Sequence, residues 1–222
     1  MTSAKHPAIS LPISDRVDYL IVVASMAAAD GELAAAELTK LREFCMSLEL
    51  GPAERGVVMA AAEQPDAVHI REVAGRLKSS ELRFTLMTDL LFMAYADEKY
   101  VEAERREIHA LADALGIPYA QRVALEKYVV AVLKAQQTSG VGPEDLKKLG
   151  GDVAASLASV GVPIAAVAVS GSVFGLSAAG ITSGLAALGL GLGMASGLGV
   201  AVGIGVGGYF GVRWLYRQVV GA

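Results

Sequence analysis

The sequence predicts an all-α protein: a helical domain built on an internal repeat, followed by a glycine-zipper transmembrane helical hairpin. Three observations carry this. From Ser14 to Gln137 the apolar residues recur at helical spacing, with few of the alternations that mark strands. A segment that begins at Met26 returns 67 residues later at Met93. From Val153 to Val212 there is no Asp, Glu, Lys, Arg, His, Asn or Gln, a length well beyond the ~20 apolar residues that one membrane helix needs.

Seven helices follow in order. The first covers Asp15 to Ala29, with Val17, Leu20, Ile21 and Ala24 on one face, and the second Ala34 to Leu48, with Leu38, Leu41, Phe44 and Leu48 inward. Pro52 opens a third that runs to Glu63, because proline suits the first helical position. "QPDAVHIREVAGRL" supplies a fourth after Pro65. The fifth spans Ser80 to Tyr95, the sixth Glu102 to Leu115, and Pro118 opens a seventh that reaches Ala135. The domain therefore occupies residues 15–137, after an N-terminal tail at 1–14. Residues 138–152, "TSGVGPEDLKKLGGD", read as a Gly/Pro hinge.

The uncharged stretch, residues 153–212, divides into two spans, 153–176 and 185–212, around "SAAGITSG". Pro163 would kink the first. Lys147 and Lys148 precede the pair, Arg213 and Arg217 follow it in a cytoplasmic tail at 213–222, and Tyr209, Trp214 and Tyr216 stand at the expected interface. The positive-inside bias places both termini in the cytoplasm, at the inner membrane. The glycines have a spacing of their own. Gly191, Ala195, Gly199, Gly203, Gly207 and Gly211 recur every fourth residue, Gly189, Gly193 and Gly197 form a second row, and Gly171 and Gly175 a pair. Such ridges let helix backbones approach closely, which predicts self-association in lipid. "GIGVGG" (Gly203 to Gly208) matches a dinucleotide-binding fingerprint in letters. It lacks the preceding strand and the acidic residue about 20 positions on that the fingerprint requires, so it reads as packing surface. The alternative is a buried helical pair in a cytoplasmic soluble oligomer.

Charge narrows the function classes. Before the uncharged stretch there are 17 basic against 23 acidic residues, and an acidic domain repels phosphate backbones, which excludes nucleic acid as partner. The one cysteine, Cys45, permits no intrachain disulfide and reads as a buried hydrophobe. "MTSAKHPAISLPISDR" lacks the apolar core of a signal peptide.

The repeat aligns "MAAADGELAAAELTKLREFCMSLEL" with "MAYADEKYVEAERREIHALADALGI". Met26 pairs with Met93, Asp30 with Asp97 and Glu37 with Glu104, while Leu41, Phe44 and Leu48 stand opposite Ile108, Leu111 and Leu115. Each unit is helix, short acidic turn, helix. On "AADGELAAAEL" and "YADEKYVEAERREI" the chain resembles the TerB-like family, the tellurite-resistance B domain also found at the N-terminus of the membrane-anchored DjlA co-chaperones. The second motif departs from the family pattern, with Glu98 in place of glycine and Tyr100 with Val101 at the apolar position. The resemblance, over residues 15–137, implies seven helices with pseudo-twofold symmetry, a stress-response role, and acidic residues that bind metal.

Two roles are open for Asp30, Glu37, Asp97 and Glu104. Together they would offer the hard oxygen ligands that suit a divalent cation such as Ca²⁺, although neither segment has the ligand spacing of an EF-hand loop. Alternatively each Asp caps the next helix and each Glu bonds back across the turn. Catalysis is not predicted. His6, His69 and His109 form no zinc motif, and no serine sits in a nucleophile elbow. "EAERRE" (Glu102 to Glu107) reads as a solvated helix face. Two functions are expected. One is a membrane-tethered stress-response adaptor whose helical domain binds a partner protein or a cation. The other is an effector whose glycine-rich hairpin perturbs the membrane under control of that domain.

Overall fold

The structure, a computed structural model, describes residues 6–29, 33, 35–95, 101–137, 143–167 and 170. Its elements are a 3₁₀ turn at Pro7–Ser10, then α1 (Ile13–Ala27), α2 (Ala35–Ser47), α3 (Pro52–Glu63), α4 (Ala67–Arg76), α5 (Leu82–Ala94), α6 (Glu102–Ala114), α7 (Tyr119–Gln137), α8 (Pro143–Ser159) and α9 (Ile164–Val167). Among the described residues all regular structure is helical.

Helices α1 and α5 form the centre. Every residue from Tyr19 to Ala27, and every residue from Phe84 to Ala94, is buried. A helix that is apolar on all sides must be covered on all sides. α2, α3, α4, α5 and α6 pack on α1, while α6, α7 and α9 join it around α5. The outer helices are one-sided, as their sequences require. In α6, Ile108, Leu111 and Ala112 face inward while Glu102, Arg105 and Arg106 lie in solvent.

The repeat is visible in backbone detail. Shifted by 67 residues, the bounds of α2 coincide with those of α6 at both ends. Its paired core residues, Leu41 with Ile108, Phe44 with Leu111 and Leu48 with Leu115, are all buried. Both helices stop in the same way. Glu49 and Gly116 take left-handed conformations, φ 57° and 64°. The next amides, Leu50 N and Ile117 N, then bond back to Cys45 O and Ala112 O at 3.1 and 2.8 Å. This six-to-one bond satisfies a carbonyl that the helix end leaves open.

Two expectations change. Residues 6–11, read as tail, are packed: Ala8 and His6 are buried, and the 3₁₀ turn lies against α1 and α5. The larger correction concerns the C-terminal side. From Pro143 onward the segment read as a hinge is helical, and α8 runs through position 153 as one rod. It then stops at Ser159, short of the continuous span expected to Leu176. Gly161 at φ 75° provides the left-handed stop, with Val162 N bonded to Leu157 O at 3.0 Å, and Pro163 precedes the single turn of α9. Glycine followed by proline ends this helix rather than kinking it. Among the described residues no helix is long and apolar enough to cross a membrane. Gly171, Gly175, the two glycine rows, Tyr209, Arg213, Trp214, Tyr216 and Arg217 lie outside the described residues. Lys147 and Lys148 fall within α8, and Lys148 is exposed.

Candidate functional site

Of the four acidic residues singled out by the repeat, the structure describes two. Glu37 and Glu104 are the third residues of α2 and α6. Both are buried, at 7 % and 5 % exposure. Carboxylates seldom bury without partners. Glu104 Oε2 accepts the Val101 N–H at 2.8 Å, which is the glutamate half of a capping box and satisfies one open donor at the helix start. Its repeat counterpart Glu37 sits at the same turn of α2 with matching burial. Asp30 and Asp97 lie outside the described residues. Among the described residues no three His, Cys, Asp or Glu side chains gather as a metal site would require.

The three histidines go to separate places. His69 lies 3.8 Å from Asp18, which also pairs with Arg76 at the surface. His109 lines a shallow pocket with Asp113, Ile117, Tyr119 and Arg122, where the Arg122 guanidinium stacks over the Tyr119 ring. His6 enters the core. Its Nδ1 accepts the Ala8 N–H at 3.2 Å, so Nε2 carries the ring proton and donates it to Asp89 Oδ2 at 3.1 Å. Tyr19 Oη donates to the same oxygen at 2.5 Å. The His6 ring packs edge-on against Tyr19 and Phe44.

Asp89 is thus a buried carboxyl held by the N-terminal segment and by α1. Burial pushes it above the usual carboxylate range, against the pull of His6, Tyr19 and the Ser170 hydroxyl. Burial, together with the Asp89 charge, likewise raises the Tyr19 phenol, and Tyr128 is raised by the same two causes. Asp89 Oδ1 has no hydrogen-bond partner among the described residues, although the Ser170 hydroxyl is near enough to favour its ionised form. His6, Tyr19 and Asp89 are all shut away from solvent, so this cluster pins the fold and offers no access to a substrate. Sequence reasoning missed it. The available signal was Asp89 as the sole acidic residue of a mostly apolar helix, whereas His6, 83 residues away, has no local signal. Cys45 is buried as expected, and burial raises its thiol to about 11.

Comparison with known proteins agrees with the geometry. The family model described as "Tellurite resistance protein TerB" matches residues 16–127, just over half of the chain. No curated protein and no solved structure matches. The matched region runs from the first turn of α1 into α7 and contains both repeat units, with their stops at Glu49 and Gly116. The chain belongs to the TerB family.

Proposed function

We propose that this protein is a non-enzymatic, membrane-tethered adaptor of a tellurite- or metal-stress response. Its helical domain binds a divalent cation, or a partner protein, at the repeated acidic turns, and the uncharged C-terminal stretch ties it to the membrane. The observation that supports this most is the pair Glu37 and Glu104. Two buried carboxyl groups stand at equivalent turns of a duplicated unit, where each helix start is electropositive. Beside Asp30 and Asp97 in sequence, they supply the acidic oxygens that a hard cation takes.

Thermal unfolding of the full chain with Ca²⁺, Mg²⁺ and Zn²⁺ tests the cation. At a hundredfold excess over Kd, binding adds about 2.7 kcal/mol, a rise of several degrees in Tm that the Glu37→Gln/Glu104→Gln variant loses. No shift with any of the three ends the cation reading. Carbonate extraction of membranes tests the tether, which fails if the intact chain stays in the soluble fraction.

A second reading, an effector hairpin under control of the helical domain, is favoured by one observation. Val153, Leu157, Val162 and Val167, from the uncharged stretch, are buried against the domain rather than free of it.

A further inference from the structure

The segment after the family-matched region is held by a distinctive set of bonds. Thr85 Oγ1 donates to Ala166 O at 2.7 Å, Tyr128 Oη to Val167 O at 3.1 Å, and Gln121 Nε2 to Val160 O at 2.9 Å. In each case a side chain of α5 or α7 reaches a backbone carbonyl of residues 160–167. The last carbonyls of a one-turn helix have no intrahelical partner, and Thr85 and Tyr128 supply donors to those of Ala166 and Val167. The apolar contacts come from Val153, Ala154 and Leu157 of α8, which packs on α7, and from Ala166 and Val167 of α9, which packs on α5.

Three features distinguish this docking from the core. Gly161, left-handed, and Pro163 divide the segment into α8 and the single turn of α9. Its polar contacts are incomplete: Gln121, which donates to Val160 O, keeps a buried Oε1 without a partner among the described residues. Buried unsatisfied groups are costly, and the cost is relieved when water enters. From Val153 on, the segment also belongs to the uncharged stretch that continues to Val212.

The geometry points to α8 and α9, residues 143–167, being a releasable latch, which the α5–α7 face holds and which detaches as one unit while the rest of the domain stays folded. What the released segment enters rests on the membrane reading above; its release does not. Detachment would uncover an apolar face lined by the Thr85 and Tyr128 hydroxyls, and would free the segment to join the residues that follow it.

Amide hydrogen exchange on the full chain, with increasing denaturant, tests the latch. The amides of Leu157, Val162 and Ala166 are expected to share one opening, with a common denaturant dependence. They should exchange at least tenfold faster than the amides of residues 20–27 and 84–94. The Thr85→Val/Tyr128→Phe variant, which removes two of the donors, should speed that opening by about tenfold or more and leave residues 20–27 unchanged. If the wild-type segment exchanges only with global unfolding, at the rate of α5, the latch is overturned, and this holds even if the variant does not fold. Flotation with vesicles of phosphatidylethanolamine and phosphatidylglycerol separates the two ideas. A variant that opens and floats more than wild type supports both, whereas one that opens without floating keeps the latch and overturns the membrane reading.

Discussion

Glu49 and Gly116 occupy one structural position in two copies of a unit, and only one of them suits it. A left-handed backbone costs an ordinary L-residue roughly 1–2 kcal/mol, and glycine avoids that cost. Glu49→Gly is therefore expected to raise stability by about 0.5–1 kcal/mol, after allowing for the greater freedom of glycine in the unfolded chain. The reverse change, Gly116→Ala, should lower it by about 1 kcal/mol. An added Cβ at Gly116 would stand 2.6 Å from Lys78 Cε, but that is the far end of a flexible side chain, so backbone strain dominates. Urea unfolding of the two variants checks both signs. Equal and opposite failures would mean that the two helix ends are not equivalent.

At the level of elements, boundaries follow from donors and stops that sit in the local sequence. Asp66 caps α4, its Oδ1 accepting Val68 N–H at 2.9 Å and His69 N–H at 3.2 Å. Asp66→Ala should cost about 1 kcal/mol, read as a fall in the denaturation midpoint with the denaturant slope unchanged. Pro52 and the expected span of α3 agree with the structure to the residue, as does the start of α6 at Glu102. Such ends were legible because their chemistry is contained within a few neighbours. α8 was not, for an instructive reason. Glycines and a proline in residues 138–152 suggested a hinge, and the uncharged run after Val153 suggested lipid. Pro143 instead starts the helix, where proline is tolerated, and Gly161 with Pro163 ends it.

For the molecule as a whole, the decisive contact is the one that joins His6, Tyr19 and Asp89 across the chain. Burial raises the Asp89 carboxyl there, against the pull of His6, Tyr19 and the Ser170 hydroxyl. Because its native pKa is raised, the native state holds this proton more tightly than the unfolded chain does. The resulting stabilisation is complete below the ordinary carboxylate value of about 3.9 and is lost as pH rises through the raised native value. Each unit of elevation is worth about 1.4 kcal/mol. Wild-type stability measured from acid to neutral pH should therefore fall relative to Asp89→Asn, which keeps an acceptor for His6 and Tyr19. A gap between the two proteins that does not change with pH would contradict the raised carboxyl.

The sequence by itself determined the all-α class, the seven helices of residues 15–137 and the 67-residue repeat. Each of these is a matter of periodicity and local stops, which neighbouring residues encode. It also marked Glu37 and Glu104 as a matched pair, because duplication is visible wherever it occurs. Only the tertiary structure decided that both are buried, that His6 reaches Asp89, and that Val153 to Val167 lie against α5 and α7. Apolarity states that a residue leaves water without stating what receives it. A stretch of valine, alanine and leucine satisfies a bilayer and a protein groove alike, and the choice between them rests on donors such as Thr85 and Tyr128, far away in the chain.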